Sequence, residues 1–275
     1  MRSRLGVMQG RLSPPINGKI QAFPVRTWQI EFQTAYNLEL GGIEWTIDSH
    51  NFWDHPLIDI QKSHLVQNLQ EKTGFFLNTV TCDFFMQLQP WDSEIGLDEI
   101  FEMVTALASS AALIEGLILI IPLVDSGSPK TAKDWVLLRE FLHKLEPIFV
   151  KNKAKIAFEF DVEPIRQVEF ISHFESSIFG INFDSGNSAS NGFDPADELK
   201  VILPYLFNVH IKDRLLRGTT VPLGTGATDF KVIAEFFAKN PYKGNFVLQG
   251  ARVEELTEEE TVLRYIDFCK RLGLT

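Results

Sequence analysis

The chain has 275 residues, enough for one large α/β domain or two small ones, and its 45% hydrophobic and 23% charged residues are the balance of a soluble globular protein. A formal net charge of -10 makes it a poor partner for phosphodiester backbones and anionic membranes, so neither nucleic acid nor membrane is an expected partner. Cys82 and Cys269 form no disulfide framework and no CxxC pair, and MRSRLGVMQGRL at the N-terminus has no apolar h-region, so the expected location is a reducing cytoplasm.

Short apolar runs recur along the chain. RLGVMQG comes first, and the segment VRTWQIEFQTAYNLEL after it places Trp28, Phe32 and Ala35 about one helical turn apart. GGIEWTID at 41–48, GFFLNTVTCD at 74–83 and GLILIIPLVD at 116–125 follow. The longest apolar stretch, 106–124, is broken by Ser109, Ser110 and Glu115 and reads as a helix end running into a strand, not as a membrane span. TAKDWVLLREFLHKLEPIFV repeats Trp135, Leu138, Phe141, Leu142 and Leu145 at helical spacing. Then come AKIAFEFD at 154–161, FGINFD at 179–184, LFNVHIKD at 206–213 and GNFVLQG at 244–250. The final segment, TEEETVLRYIDFCKRLG, opens on Thr257 as N-cap with acids in its first turn and closes on basic residues and Gly273.

Each run is continuously apolar, as strands covered on both faces are, and the strand-to-strand period of about 30 residues is that of a βα unit. Eight such units predict a (β/α)8 TIM barrel, in a single domain over 1–275. A doubly wound open sheet would want a glycine fingerprint after the first strand. That position reads MQGRLSPP, and GTGATD at 224–229 lacks the third glycine.

In a barrel the chemistry belongs at the C-terminal strand ends, which here carry Gln9, Glu44, Asp83, Asp125, Glu159, Asp184, His210 and Gln249. Asp125 and Asp213 read best as turn formers. Glu159 lies inside its strand between two phenylalanines, and a lone buried carboxylate there costs several kcal/mol, so it calls for a metal, a base or an arginine. His210, between Val209 and Ile211, reads as a ligand alongside it.

With INFDSGNSASNGFDP, VHIKDR followed by TTVPLGTGATDF, and FVLQGAR, the sequence resembles the xylose-isomerase-like TIM barrels, in particular the sugar phosphate isomerase/epimerase group, along nearly its whole length. The resemblance implies one divalent metal ion (Mn, Mg, Co or Zn) held by Glu159, Asp184, His210 and Gln249, and a sugar or sugar phosphate as substrate. It implies proton transfer next to a carbonyl. Related ketose 3-epimerases use two glutamates for this, and Gln249 stands where the second would be. An amide can offer an oxygen to a hard cation but has no titratable proton. The expected base is therefore Glu159 or, if the metal fully commits it, Glu44 or Asp83.

Arg11, Lys212, Arg214, Arg217 and Arg252 follow strand ends and are expected to ring the site and bind a phosphate or carboxylate. The helix-free segment 213–227 reads as a functional loop, and SGNSASNGFDP as a polar loop over the site with Asp194 and Pro195 opening the next helix. Trp45, Phe84, Phe85 and Trp91 offer apolar faces either to a sugar ring or to helix–barrel packing. The other functional readings are a non-catalytic sugar-binding barrel, a polyol dehydratase and an apurinic-site endonuclease. The last would gather several histidines, and of the six only His210 lies within a strand end. A homo-oligomer is compatible with the sequence.

Overall fold

The computed structural model describes residues 3–16, 18–92 and 96–275. Eight parallel strands close a barrel: β1 (Leu5–Met8), β2 (Gly42–Ile47), β3 (Thr79–Cys82), β4 (Ile118–Leu123), β5 (Lys155–Phe160), β6 (Phe179–Asp184), β7 (Leu206–Ile211) and, after a short ribbon, β10 (Phe246–Leu248). β10 pairs with both β7 and β1, which closes the ring and leaves no sheet edge. All eight apolar runs contain these strands. The stretch 106–124 divides as expected into the end of a helix, α3 (Leu97–Ser109), and β4.

The helices return the chain outside the barrel. α1 (Trp28–Asn37) buries Trp28, Phe32 and Ala35, and α2 is Ser63–Thr73. α4 (Ala132–Asn152) opens on a capping box between Thr131 and Asp134 and buries Leu138, Phe141, Leu142 and Leu145. α5 is Pro164–Ile171, and α7 (Pro195–Ile202) starts on Asp194 as N-cap with Pro195 in its first turn. α8 is Phe230–Lys239, and α9 (Glu258–Leu272) begins with a Thr257–Glu260 capping box and ends on Gly273 in the left-handed conformation. Among the described residues no helix is long and apolar enough to cross a membrane.

One segment differs from expectation, and a second, helix-free as expected, carries a ribbon. Residues 185–191, expected as a polar loop, form a short helix, α6 (Ser185–Asn191). Asp184 caps it by accepting from the backbone N–H of Gly186 and Asn187, and Gly192 ends it in the left-handed region. The segment 213–227 contains a two-stranded antiparallel ribbon, β8 (Asp213–Arg214) and β9 (Thr220–Val221). Asp213 acts as the expected turn former: its carboxylate accepts from the backbone N–H of Gly224, Gly226 and Thr228.

Strand register sorts side chains between the barrel interior and the helix layer. His210 pairs with Val247 and Asp184, Glu159 with Pro122, and Thr81 with Thr46, so these residues share the inner face. Trp45 lies on the outer face and, like Phe84 and Phe85, is fully buried in the main core, where Trp91 also packs. These aromatics take part in barrel packing. The lower interior is apolar, with Ile118, Ile120 and Ala157 packed against Phe207. Phe207 fits because Gly180 has no side chain: a Cβ there would stand 2.6 Å from its ring. The upper interior is polar, and there the site lies.

Candidate metal centre

At the C-terminal end of the barrel, β5, β6 and β7 bring Glu159, Asp184 and His210 together, each buried, with one ligand atom apiece lying within 4.8 Å of the others. His210 Nδ1 is 3.1 Å from Glu159 Oε2 and 3.8 Å from Asp184 Oδ2. Among the described residues this is the only such group of three or more metal-binding side chains.

The other ring nitrogen faces across the barrel. His210 Nε2 lies 2.7 Å from Glu44 Oε1, which also accepts from Thr81 Oγ1 at 2.8 Å. A carboxylate only accepts, so Glu44 makes Nε2 the donor and leaves Nδ1 as the atom that can surrender a proton and offer its lone pair. The same polarity runs on through two asparagines. Asn208 Nδ2 donates to Glu44 Oε2 at 2.9 Å and to Asn182 Oδ1 at 3.0 Å, which turns the Asn182 amide nitrogen to Glu159 Oε2 at 2.8 Å. Arg214 donates to Asn187 Oδ1 at 2.8 Å, and Asn187 Nδ2 then donates to Glu159 Oε1.

Charge follows from these contacts. Burial opposes protonation of His210, but Glu44 first, then Asp184 and Glu159, holds the imidazole well above its ordinary range. Burial would likewise raise Asp184. Lys212, at 3.2 Å, and then His210 overcome it and bring the carboxyl down to about 2. Asp184 is thus kept ionised by Lys212 at the rim and by His210 within the group.

Gln249, also on the inner face and buried, offers Oε1 with no hydrogen-bond partner, while its Nε2 donates to Gln21 Oε1 at 3.0 Å. That orientation is set from outside. Gln21 Nε2 donates to Asp83 Oδ2 at 2.8 Å, and Arg11 Nη2 approaches Gln21 Oε1 at 3.4 Å, so the Gln21 oxygen must face Gln249. An orphaned buried oxygen fits a cation, and two carboxylates, an imidazole and an amide oxygen suit a hard divalent ion.

The cations expected to ring the mouth are mostly engaged with the protein. Arg11 donates to Ile20 O, and burial, then the charge of Arg252, lowers its guanidinium to about 10. Arg252 bonds Gly10 O at 2.6 Å and Glu258 at 3.2 Å. Lys212 pairs with Asp184, Arg214 binds Asn187, Gly218 O and Asp125, and Arg217 is exposed in the turn of the ribbon. Residues that reading from sequence missed are Asn182, Asn187, Asn208 and Gln21. Two of them carried a signal, since Asn182 and Asn208 stand two positions before Asp184 and His210 on the same strand faces.

Residues 32–272 match the family model described as xylose isomerase-like TIM barrel. An inosose dehydratase of Clostridium botulinum (strain Eklund 17B / Type B) is 24% identical over 153 residues, covering 47% of this chain and 51% of that one. The chain thus spans about half the length of the curated relatives it matches. Among solved structures, the D-allulose 3-epimerase of Methylomonas sp. in complex with D-allulose superposes with a TM-score of 0.75 at 12% identity over 98% of this chain and 97% of that one. The D-psicose 3-epimerase of Clostridium cellulolyticum H10 with D-tagatose gives 0.74 at 12% identity over 99% of both. At these identities the likeness establishes the fold.

Proposed function

The chain belongs to the xylose isomerase-like TIM barrel family, and on that premise we propose that it is a metal-dependent isomerase or epimerase of a small unphosphorylated sugar. The observation that carries this reading is the convergence of Glu159, Asp184 and His210 at the barrel mouth. Glu159, Asp184, His210 Nδ1 and Gln249 Oε1 would hold the divalent ion. When bound, such an ion polarises a carbonyl and its neighbouring hydroxyl and so lowers the cost of the negative charge that builds up as a proton leaves carbon.

The chain's own residues do the rest. Glu44 fixes the His210 ring, and Asn182 and Asn187 fix Glu159, so the ligand atoms are in place before a substrate arrives. The choice of an unphosphorylated sugar rests on the protein partners that Arg11, Lys212, Arg214 and Arg252 already hold. The structural neighbours hold D-allulose and D-tagatose, which agrees with that choice.

A second reading is dehydration of a keto-polyol. Gln249 favours it, because loss of water needs no second titratable group at that position, and so does the partial likeness to inosose dehydratase. Metal analysis of the purified protein, followed by NMR of aldoses, ketoses and a keto-inositol incubated with Mn²⁺, decides between them. A new sugar isomer supports the first reading, an unsaturated product the second, and no turnover together with no metal refutes both.

A further inference from the structure

Glu159 and Asp83 are both inward-facing carboxylates at the barrel mouth, but they are held differently. Both Glu159 oxygens are occupied: Oε1 accepts from Asn187, and Oε2 accepts from Asn182 and faces His210. Only one Asp83 oxygen is anchored. Oδ2 accepts from Gln21 Nε2 at 2.8 Å and Thr46 Oγ1 at 2.9 Å, and Oδ1 has no hydrogen-bond partner among the described residues. Thr81 points inward to reach Glu44, and Asp83 follows it by two positions on the same face, just past the end of β3. Asp83 is also outside the ligand group.

We propose that Asp83 is the residue that takes the proton from the sugar and that Glu159 serves as a ligand; this rests on the sugar-isomerising reading above. The environment agrees. Burial raises the Asp83 carboxyl to about 6 against the pull of Gln21 and Thr46, with the charge of Glu159 adding to the rise. A carboxylate of that strength is a better base near neutral pH than an ordinary one. The chain Asp83–Gln21–Gln249 links this base to the amide ligand, so a single loop residue, Gln21, positions both.

In the step, Asp83 Oδ1 forms a bond to the hydrogen on the carbon next to the carbonyl. The C–H electron pair becomes the new C=C bond, and the carbonyl π pair moves onto oxygen, giving an enediolate at the same oxidation level. The protonated Asp83 then returns its proton to the adjacent carbon. One hydroxyl proton moves between the two sugar oxygens through solvent, the carbonyl re-forms one carbon along, and Asp83 is again a carboxylate. One base suffices for this aldose–ketose isomerisation, whereas inversion at a single carbon wants a second group on the other face. The inferred reaction class is therefore isomerisation, and it needs no acid at position 249.

The test compares wild type, Asp83→Asn and Glu159→Gln in D₂O with Mn²⁺ and a panel of free aldoses and ketoses. Deuterium incorporation is followed by NMR, Mn²⁺ affinity by calorimetry and folding by thermal melts. Asp83→Asn is isosteric and should bind Mn²⁺ as the wild type does while losing exchange by a factor of about 100 or more. Glu159→Gln should lose Mn²⁺ affinity. As a second variant, Asp83→Glu keeps a carboxylate and should exchange about tenfold faster than Asp83→Asn. Exchange by Asp83→Asn at the wild-type rate under saturating Mn²⁺, or loss of Mn²⁺ affinity in that variant, overturns the inference alone. Absence of exchange by the wild type with every sugar overturns the proposed function and this inference with it.

Discussion

Two groups of buried acids in this protein meet partners of different charge. At the barrel mouth Glu44, Glu159 and Asp184 surround His210, with Lys212 on Asp184. Outside the barrel, where α5, α6 and α7 meet, Glu198 has only neutral partners, Ser188 Oγ and Gln167 Nε2. Burial acts on both groups. For Asp184 the neighbouring cations reverse it, and the carboxyl falls to about 2. For Glu198 burial prevails, Asp184 adds to it, and the carboxyl rises to about 7. Glu31 repeats the second pattern, at about 7, while accepting from the N–H groups of Gly10 and Leu12. The sign of the nearest partner, not depth, decides what a buried acid does. An acid with neutral donors keeps a raised pKa, as Glu198, Glu31 and Asp83 do. An acid with a cation stays charged and can accept another cation.

The largest test of this contrast is to make the mouth resemble the helix pocket. His210→Ala leaves Glu44 buried without its imidazole, so stability at pH 7 is expected to fall by about 3–5 kcal/mol in urea unfolding. Metal content by mass spectrometry should fall to background. A variant as stable and as metal-rich as the wild type would break the comparison.

Glu198→Gln probes the other side. The folded pKa of Glu198 lies above its ordinary 4.5, so the stability it contributes is complete below that value and is lost as pH rises through about 7. Between those limits the wild type is expected to lose up to about 3 kcal/mol more than Glu198→Gln, read from unfolding midpoints across pH. Parallel curves would place Glu198 with the charged group.

Two smaller effects sharpen the account at the mouth. Glu44→Gln keeps an acceptor for Nε2 but removes the charge, and Mn²⁺ affinity should drop about 10- to 100-fold by calorimetry. Gln249→Glu adds a carboxylate to the ligand set and should tighten Mn²⁺ by about tenfold. Unchanged affinity in the latter would remove residue 249 from that set.

The barrel was legible because continuous apolar runs repeat at one period and each ends on a polar residue. Glu159 and His210 stood out because a charged or titratable group flanked by Phe or Val and Ile in a strand must find a partner. α6 was not legible as a helix, since Ser, Gly and Asn score as loop. Its evidence lay in the ends instead, Asp184 as N-cap and Gly192 as the left-handed stop. The partners of the arginines were hidden for another reason. Sequence shows where a guanidinium can reach, but not that Ile20 O, Gly10 O and Asn187 already hold Arg11, Arg252 and Arg214. Gln21 sits in a segment with no period at all, and only the closed ring brings it between Asp83 and Gln249.

The central claim is that the mouth group is a cation site, and anomalous diffraction at the manganese edge from crystals grown with Mn²⁺ tests it most directly. The account predicts one peak, coordinated by Glu159, Asp184, His210 Nδ1 and Gln249 Oε1, with His210 Nε2 still bonded to Glu44. A peak elsewhere, or none at a Mn²⁺ concentration that saturates binding in solution, would contradict it.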